Sequence, residues 1–417
     1  MRLSTSMMYA NGLKGVLSQE SDMNRLVEQV GSGRKNLSPA DDPLAAAQAI
    51  SVAQTQSMNN TYGLNRQTAN TNLGQESNTL TAVTNALQEA RTRILQAGGV
   101  LSDSDRQTLS TALKSTRDAL LGLANTTDGN GQYLFSGNDG SVVPYSKNAA
   151  GQIVYSGSVG ERTIQVDQSR QLSTSDLGKD IFGRANPGSQ TFVTSAASTN
   201  TGTAEFTAAS VTPGTANAGK KFAVQFETDA VTGAVGYRVT TTNPDGSSAT
   251  VPAAGSPAKA YADGATIDLG SGVSMSVKGA PKAGDVINVD SVQSAGMNMD
   301  VFATLNDVIA ALDAPSAGDP VATARLNNVL ATTNRKLANT YDNVLTVQAS
   351  VGARMNELEA LDATGTQKGL SYSKSLSDLE ELDYYQGASQ LALRQVALQA
   401  ASAAFMTIQG SSLFSRK

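Results

Sequence analysis

Apolar residues recur at intervals of seven near the N terminus, which is the spacing of a helix that packs on another helix. A second row lies three or four residues away from the first and is interrupted by Glu20. The first row consists of Tyr9, Val16, Met23 and Val30, and the second contains Leu13 and Val27. The pattern predicts an N-terminal amphipathic helix whose apolar face needs a partner.

Three further rows with the same spacing predict three more long helices. These rows consist of Leu73, Leu80, Leu87 and Ile94, of Leu330, Leu337, Val344, Val351 and Leu358, and of Tyr384, Leu391, Leu398 and Phe405. Two of the four predicted helices come early in the chain and two come late. We therefore expect N-terminal segments to pair with C-terminal segments.

The segment from Asn186 to Gln293 has a different pattern, rich in Gly, Thr, Ser and Ala with short alternating runs. Phe222, Val224 and Phe226 alternate with other residues, which is the period of a half-buried strand. The run Asn243–Gly246 is a turn sequence between two strand-like segments. These features predict a β-rich insert between the helical parts of the chain.

Together the patterns predict a mainly α fold with a β insert. We expect an elongated rod of paired N- and C-terminal long helices, in a coiled coil or bundle, with an inserted β-rich outer domain. The expected segments are half of a terminal coiled-coil domain (1–42), a helical body with a small β element (43–184), the outer domain (185–297), the return helices of the body (298–366) and the other half of the coiled-coil domain (367–417).

The sequence GSGRKNLSPADDPLAAAQAI, Gly31–Ile50, interrupts the helical pattern. A phosphate-binding loop is one interpretation, but GSGRK lacks the Walker spacing and follows a predicted helix rather than a strand. The alternative is a hinge, in which glycines end one helix and a capping side chain precedes a proline at the next helix start. We favour the hinge, with Gly31 and Gly33 as helix ends and Ser38–Pro39 and Asp42–Pro43 as helix starts.

Composition removes several classes of chemistry. The 417 residues include no Cys, His or Trp, which excludes thiolate and imidazole nucleophiles, Ser-His-Asp triads and Cys/His zinc sites. The net charge is -5 and the basic residues are scattered, which argues against a nucleic-acid-binding surface. No apolar run reaches the ~18 residues of a membrane span, and no signal-peptide pattern opens the chain. We expect neither membrane insertion nor a cleaved signal.

Two acidic segments are candidates for chemistry. Asp128–Asp139 has the spacing of a calcium loop, but Tyr133 stands where such a loop needs glycine, which favours a surface turn. Glu380, Glu381 and Asp383 could act as acid and base, but on a heptad helix such charges normally form the solvated face. We therefore predict no catalytic residues, no metal site and no cofactor.

The two terminal helices can form only a thin pair with little core, which is marginal when isolated. We predict that roughly residues 1–40 and 370–417 are loose in the monomer and fold on assembly. The predicted assembly interface consists of Tyr9, Leu13, Val16, Met23, Val30, Tyr384, Leu391, Leu398, Phe405, Leu413 and Phe414.

The segment SGRKNLSPADDPLAAAQAI resembles the N-terminal signature of the flagellin-like axial proteins of the bacterial flagellum. Its two prolines and the opening MRLSTSMMY are similar to the hook–filament junction members of that family rather than to flagellins. Further resemblance lies, in order, in DGNGQYLFSGNDG, LGKDIFG, GAPKAGDVINV, DVFATLNDVIAAL and the SLF near the end. It covers nearly the whole chain and is least diagnostic in the β insert.

The resemblance implies export through the flagellar type III apparatus and assembly outside the cell. It implies a structural adaptor, not an enzyme, that joins the hook, through hook-associated protein 1, to flagellin, with copies of itself in the junction. A cytosolic export chaperone would bind the C-terminal helix around Leu391, Leu398 and Phe405. Two alternatives stay open: flagellin itself, and a secreted enzyme with an acidic cleft in the region 186–293.

Overall fold

The computed structural model describes residues 5–99, 101–229 and 233–414, with the side chains in these ranges except those of residues 5, 6 and 408–414. Long helices lie toward both ends and strands lie between them, so the predicted mainly α fold with a β insert is confirmed. The helices are α1 (Thr5–Ser32), α2 (Pro43–Ala97), α3 (Asp103–Ala124), α4 (Gly178–Phe182), α5 (Val301–Asp313), α6 (Pro320–Glu380) and α7 (Tyr384–Phe414).

The chain forms two compact units. The terminal unit contains the residues up to Arg66, the short segment Val166–Ser169 and the residues from Glu359 onward. The body unit contains Gln67–Gln165 and Arg170–Leu358. Helices α1 and α7 belong to the terminal unit, whereas α2 and α6 contribute residues to both. The finer division into five segments stays a prediction.

The heptad rows of α2 and α6 are buried in the body unit. The buried row residues, each at most 5% exposed, are Leu73, Leu80, Leu87, Ile94, Leu330, Leu337, Val344, Val351 and Leu358. Gln88 Nε2 donates to Tyr341 Oη at 2.8 Å, and Gln348 Nε2 donates to Thr81 Oγ1 at 3.1 Å, so the two helices run antiparallel. The prediction that early and late helices pair is confirmed for this part of the chain.

Four short strands form two hairpins in the smaller β element. They are β1 (Tyr145–Lys147), β2 (Ile153–Tyr155), β3 (Thr163–Asp167) and β4 (Arg170–Ser173). The strands of the insert are β5 (Phe192–Ala196), β6 (Glu205–Phe206), β7 (Ser210–Val211), β8 (Lys221–Thr228), β9 (Val235–Thr242), β10 (Ser248–Val251), β11 (Lys259–Ala260), β12 (Thr266–Gly270), β13 (Val273–Lys278) and β14 (Val286–Ser291).

The insert consists of two antiparallel sheets around one core. One sheet has the order β10-β9-β8-β14-β5 with β11 beside β9, and in the other β13 lies between β12 on one side and β6 and β7 on the other. Phe222, Val224 and Phe226 are at most 1% exposed, as their alternation predicts, and share the core with Ile267 and Val273 of the second sheet. Apolar side chains from both sheets therefore hold the insert together.

Polar side chains on one face of α6 attach the insert to the helices. Asn328 is 5% exposed; its Oδ1 accepts a hydrogen bond from Phe206 N at 3.1 Å and its Nδ2 donates to Ala204 O at 2.8 Å. Thr332 Oγ1 donates to Thr194 O on β5 at 2.7 Å. Because β5 is the last strand of its sheet, α6 covers an edge that would otherwise be open to pairing.

One carboxyl group is buried in the body unit. Glu76 on α2 has no exposed surface; its Oε1 accepts a hydrogen bond from Asp176 N at 3.1 Å, and its Oε2 has no partner among the described residues. Arg354 donates to Asp176 Oδ2 and so neutralises that carboxylate instead. Burial, reinforced by the neighbouring Asp176 carboxylate, raises the pKa of Glu76 to about 8.

We expect Glu76→Gln to make the stability of the chain less dependent on pH. In the unfolded chain Glu76 loses its proton near pH 4.5, whereas in the folded chain it keeps the proton up to about pH 8. Its contribution to the free energy of unfolding is therefore fully present below pH 4.5 and is lost as the pH rises to about 8. Glu76→Gln removes this loss, so its advantage over the wild type should grow by at least about 1 kcal/mol between these pH values.

Chemical unfolding followed by circular dichroism at about pH 5 and about pH 8.5 measures this difference. Glu89→Gln is the matched control, because Glu89 lies on the same helix and its side chain is 53% exposed. Parallel pH profiles for the wild type and Glu76→Gln would contradict the expectation.

Candidate assembly interface

Helices α1 and α7 form an antiparallel pair in the terminal unit. The rings of Tyr9 and Phe405 lie with their centroids 5.0 Å apart, near the start of α1 and toward the end of α7. Arg394 Nη1 donates to Asp22 Oδ2 at 3.0 Å and to Gln19 Oε1 at 3.2 Å. Positions later in α1 thus meet positions earlier in α7. The predicted pairing of the two terminal segments is confirmed.

Two glycines allow the helices to approach closely. A Cβ atom on Gly12 would lie 3.1 Å from Phe405 Cδ2, and one on Gly387 would lie 3.4 Å from Val30 Cγ2. A Cβ on Gly12 would require Phe405 to move by a few tenths of an ångström, whereas one on Gly387 would just reach van der Waals contact with Val30. The pair therefore has a close approach toward each of its ends.

The seam of the pair is shifted by one residue from the second predicted row. Leu26 is 7% exposed, whereas Leu13 is 40% and Val27 is 50% exposed. Gly12 and Gln19, which precede Leu26 at intervals of seven, contact α7. The expectation that Leu13 and Val27 complete the buried face is therefore wrong, because the glutamate in their row turns that row toward solvent.

The other predicted interface residues fall into three groups. Those that are half-buried are Val16, Met23, Val30, Leu391, Leu398 and Phe405. Those that are exposed are Tyr9, Leu13 and Tyr384. Leu413 and Phe414 lie in the last turn of α7, and their side chains are outside the described residues.

The outer surface of α7 is apolar and almost uncharged, whereas α1 also exposes charged side chains such as Lys14, Glu20 and Glu28. Leu17 is 55% exposed on α1, and Leu393, Val396 and Met406 are 64–70% exposed on α7. Arg394 is the single charged residue in the 31-residue sequence of α7, and it is already paired with α1. Exposed apolar surface of this extent is typical of a surface that another protein chain covers.

The break between α1 and α2 is hydrogen-bonded to the break between α6 and α7. Leu382 N donates to Gly33 O at 2.9 Å and Lys35 N donates to Glu380 O at 2.8 Å, with the two intervening residues paired antiparallel. We call this two-stranded connection the hinge link. It joins the segment that follows α1 to the segment that precedes α7.

Gly33 alone ends α1. Its φ of +69° is the left-handed conformation that glycine adopts without strain after a helix end. Gly31 lies inside α1, which continues to Ser32. The prediction that Gly31 also ends the helix is therefore wrong.

Asp41, rather than Ser38, organises the loop before α2. Its Oδ2 accepts hydrogen bonds from Leu37 N at 3.0 Å and Ser38 N at 2.9 Å, and residues 39–41 form a turn. The prediction of a helix start at Ser38–Pro39 is wrong, because the chain forms only one turn there, in which Asp41 N donates to Ser38 O at 3.0 Å, and α2 begins at Pro43. The Ser38 amide, aided by the Arg25 guanidinium, holds the pKa of Asp41 below its usual value.

An aspartate begins the helix after each break. Asp42 Oδ1 accepts a hydrogen bond from Ala45 N at 2.9 Å, and Pro43 is the first residue of α2. Asp383 Oδ1 accepts one from Tyr385 N at 2.9 Å at the start of α7. The acidic cluster Glu380, Glu381 and Asp383 is exposed, as predicted for a solvated face, although α6 ends within it.

The acidic segment proposed as an alternative calcium loop forms a turn. Asp128 Oδ1 accepts hydrogen bonds from Asn130 N at 2.8 Å and Gln132 N at 2.9 Å. Across the described residues, no three acidic side chains converge in a way that could hold a metal ion. None of the described helices combines the length and apolarity that crossing a membrane requires.

Comparison with known proteins places these features in a family. Residues 3–139 match the bacterial flagellin N-terminal helical region. The chain is 30% identical to flagellar hook-associated protein 3 of Escherichia coli (strain K12) over 415 residues, which cover 99% of each chain. Two crystal structures from Legionella pneumophila are similar. Flagellar hook-associated protein 3 has a TM-score of 0.69 at 30% identity, covering 79% of this chain and 98% of its own. The flagellar junction protein FlgL has a TM-score of 0.65 at 29% identity, and the match covers 80% of this chain and 100% of that protein.

Gly33→Ala should open the hinge link. An L-residue at φ +69° is strained by about 1–2 kcal/mol. The new Cβ would also lie 2.8 Å from Tyr384 Oη. Tryptic cleavage after Arg34 and Lys35, measured by mass spectrometry of the released peptides, should therefore be roughly fivefold faster or more.

Gly31→Ala is the control for this experiment. Gly31 lies within α1, and nothing is within 4 Å of a Cβ added to it. Alanine favours a helix interior over glycine, so cleavage should be unchanged or slower. Equal cleavage of both variants would show that the left-handed residue does not hold the link closed.

Proposed function

The chain belongs to the hook-associated protein 3 family of flagellar proteins, and on that premise we propose that it is the structural adaptor between the hook and the flagellin filament. The observation that carries this proposal is the apolar, almost uncharged surface of α7 together with the exposed apolar residues of α1, which other subunits would cover. Burial of each Leu, Val or Met side chain on that surface would stabilise an assembly by roughly 1.5–3 kcal/mol.

The partners follow from the position of such an adaptor. Hook-associated protein 1 meets the chain on the hook side, flagellin meets it on the filament side, and further copies of the chain lie beside it in the junction. The exposed residues Leu17, Leu393 and Val396 pack against these neighbours together with Tyr9, Leu13 and Tyr384. The predicted interface residues Leu413 and Phe414, whose side chains lie outside the described residues, stay part of this proposal.

Folding of the terminal helices is coupled to assembly. Two helices bury only one face of each, so the pair has low local stability in the isolated chain and becomes fixed when neighbours cover it. The hinge link supports this coupling, because Gly33 and Leu382 join the ends of both terminal helices and allow the pair to form as one element.

Export precedes assembly in this proposal. The chain leaves the cell through the flagellar type III apparatus without a cleaved signal and is assembled outside. Before export, a cytosolic chaperone covers the apolar row Leu391, Leu398 and Phe405, which is half-buried against α1 in the folded pair.

Flagellin itself is a less supported alternative. The match to the flagellin region covers residues 3–139, whereas the similarity to hook-associated protein 3 extends over 99% of the chain. The enzyme alternative receives no support, since the relatives are structural proteins of the flagellum.

Deletion of the gene in the source bacterium tests the adaptor role. Hooks should remain intact in electron micrographs, and unassembled flagellin should accumulate in the medium, because the filament has no base on which to grow. Loss of the major secreted subunit itself would identify the chain as flagellin. Normal filaments and motility would contradict the role.

Val396→Asp, expressed in the deletion strain, should be exported but restore roughly tenfold fewer filaments than the wild type. Val396 is 64% exposed on α7, so the free chain tolerates the carboxylate, but an assembled neighbour would have to desolvate it. Leu95→Asp is the control, because Leu95 is 65% exposed on α2 and lies outside the terminal unit. Equal filament counts for the two variants would contradict the proposed interface.

A further inference from the structure

A cleft of about 260 Å³ lies between β5, α5 and α6 in the body unit. Its lining includes the small apolar side chains of Ala196, Ala197 and Val329 and three charged residues, Asp307 on α5 and Arg325 and Lys336 on α6. Pockets for drug-sized ligands measure about 300–1,000 Å³, so this cleft suits a smaller molecule.

The amine of Lys336 lacks a partner within the described parts of the chain. It makes no hydrogen bond there, and no carboxylate oxygen lies within 4.0 Å of it. The side chain is half-buried, and this burial lowers the pKa of the Lys336 amine, against the opposing effect of the Asp307 and Asp300 carboxylates. An ammonium group that has lost part of its hydration gains more from an anionic ligand than one in open solvent.

Asp307 provides the opposite charge on the same cleft. Among the described residues its carboxylate accepts no hydrogen bond and has no cation within 4.0 Å. Of the other charged groups nearby, Asp300 Oδ1 accepts a hydrogen bond from Ala303 N at 2.8 Å, and Arg325, which also lines the cleft, donates from Nη2 to Asn200 O at 3.2 Å but has no carboxylate oxygen within 4.0 Å among the described residues. The cleft therefore presents two cations, Lys336 and Arg325, and one anion, Asp307, none of which forms an ion pair within the described parts of the chain.

We propose that this cleft binds a small zwitterion, a free α-amino acid with a short side chain. The ligand's carboxylate binds the Lys336 ammonium and its α-ammonium binds the Asp307 carboxylate, so one molecule satisfies both groups. Its side chain lies against Ala196, Ala197 and Val329, and the volume of the cleft limits that side chain to a few carbon atoms.

The site is independent of the proposed assembly surface. All of its lining residues lie in the body unit, whereas the assembly surface lies on α1 and α7 of the terminal unit. Ligand binding can therefore be measured on the unassembled full chain. Failure of one proposal leaves the other intact.

Titration of the full chain with L-alanine, L-serine and L-valine, followed by saturation-transfer NMR, tests the site. Binding in the millimolar range is expected for such small ligands. Lys336→Met and Asp307→Asn should each weaken it at least about tenfold, since each removes one charge-assisted contact. Lys278→Met, an exposed lysine outside the cleft, should bind like the wild type.

Acetate and methylammonium serve as half-ligands, each carrying one of the two charges. Both should bind at least about tenfold more weakly than L-valine. Acetate binding as tight as that of L-valine would overturn the role of Asp307. Absence of binding by all three amino acids, or undiminished binding by Asp307→Asn, whose exposed side chain is not needed for folding, would overturn the site.

Discussion

Burial of the heptad rows differs between the body unit and the terminal unit, and the proposed assembly depends on that difference. In the body unit the rows of α2 and α6 are at most 5% exposed, because other elements of the unit surround them. In the terminal unit the described residues of α1 pack against α7. Two helices can bury one face each, so Leu393 and Val396 remain 64–70% exposed. An apolar surface that the chain cannot cover by itself requires neighbours.

The remaining features separate the pair of helices α1 and α7 from the rest of the chain. Gly33 ends α1, and Asp42 and Asp383 begin α2 and α7. The hinge link joins these two helix breaks through backbone hydrogen bonds. Within the body unit, Asn328 and Thr332 attach the β-rich insert to α6 by contacts to backbone atoms. In the proposed account, assembly therefore belongs to the terminal unit, and the body unit has a core of its own.

Much of this arrangement could be predicted from periodicity. Apolar residues seven apart indicate the buried face of a helix, and apolar residues two apart indicate the buried face of a strand. The helix break near Glu380 was missed, since neither glycine nor proline marks it and Asp383 is an inconspicuous cap. Ser38–Pro39 has a capping signature, but Asp41 accepts hydrogen bonds from Leu37 N and Ser38 N and closes a turn there instead of a helix. In the sequence, Asn328 and Thr332 look like polar residues on the solvated face of a helix. Their contacts become visible only when the position of the insert is known. The candidate interface was predictable as an apolar row, but the outward residues Leu393 and Val396 depend on how α7 is rotated against α1.

Amide hydrogen exchange on the purified full chain, compared with the chain in assembled junctions, tests most directly the claim that the terminal helices depend on neighbours. In the free chain, amides of α1 and α7 should exchange orders of magnitude faster than those of α2 and α6 in the body unit, and they should become protected on assembly. Equally strong protection of both sets of helices in the free chain would contradict the account, because the terminal pair would then be stable without any partner.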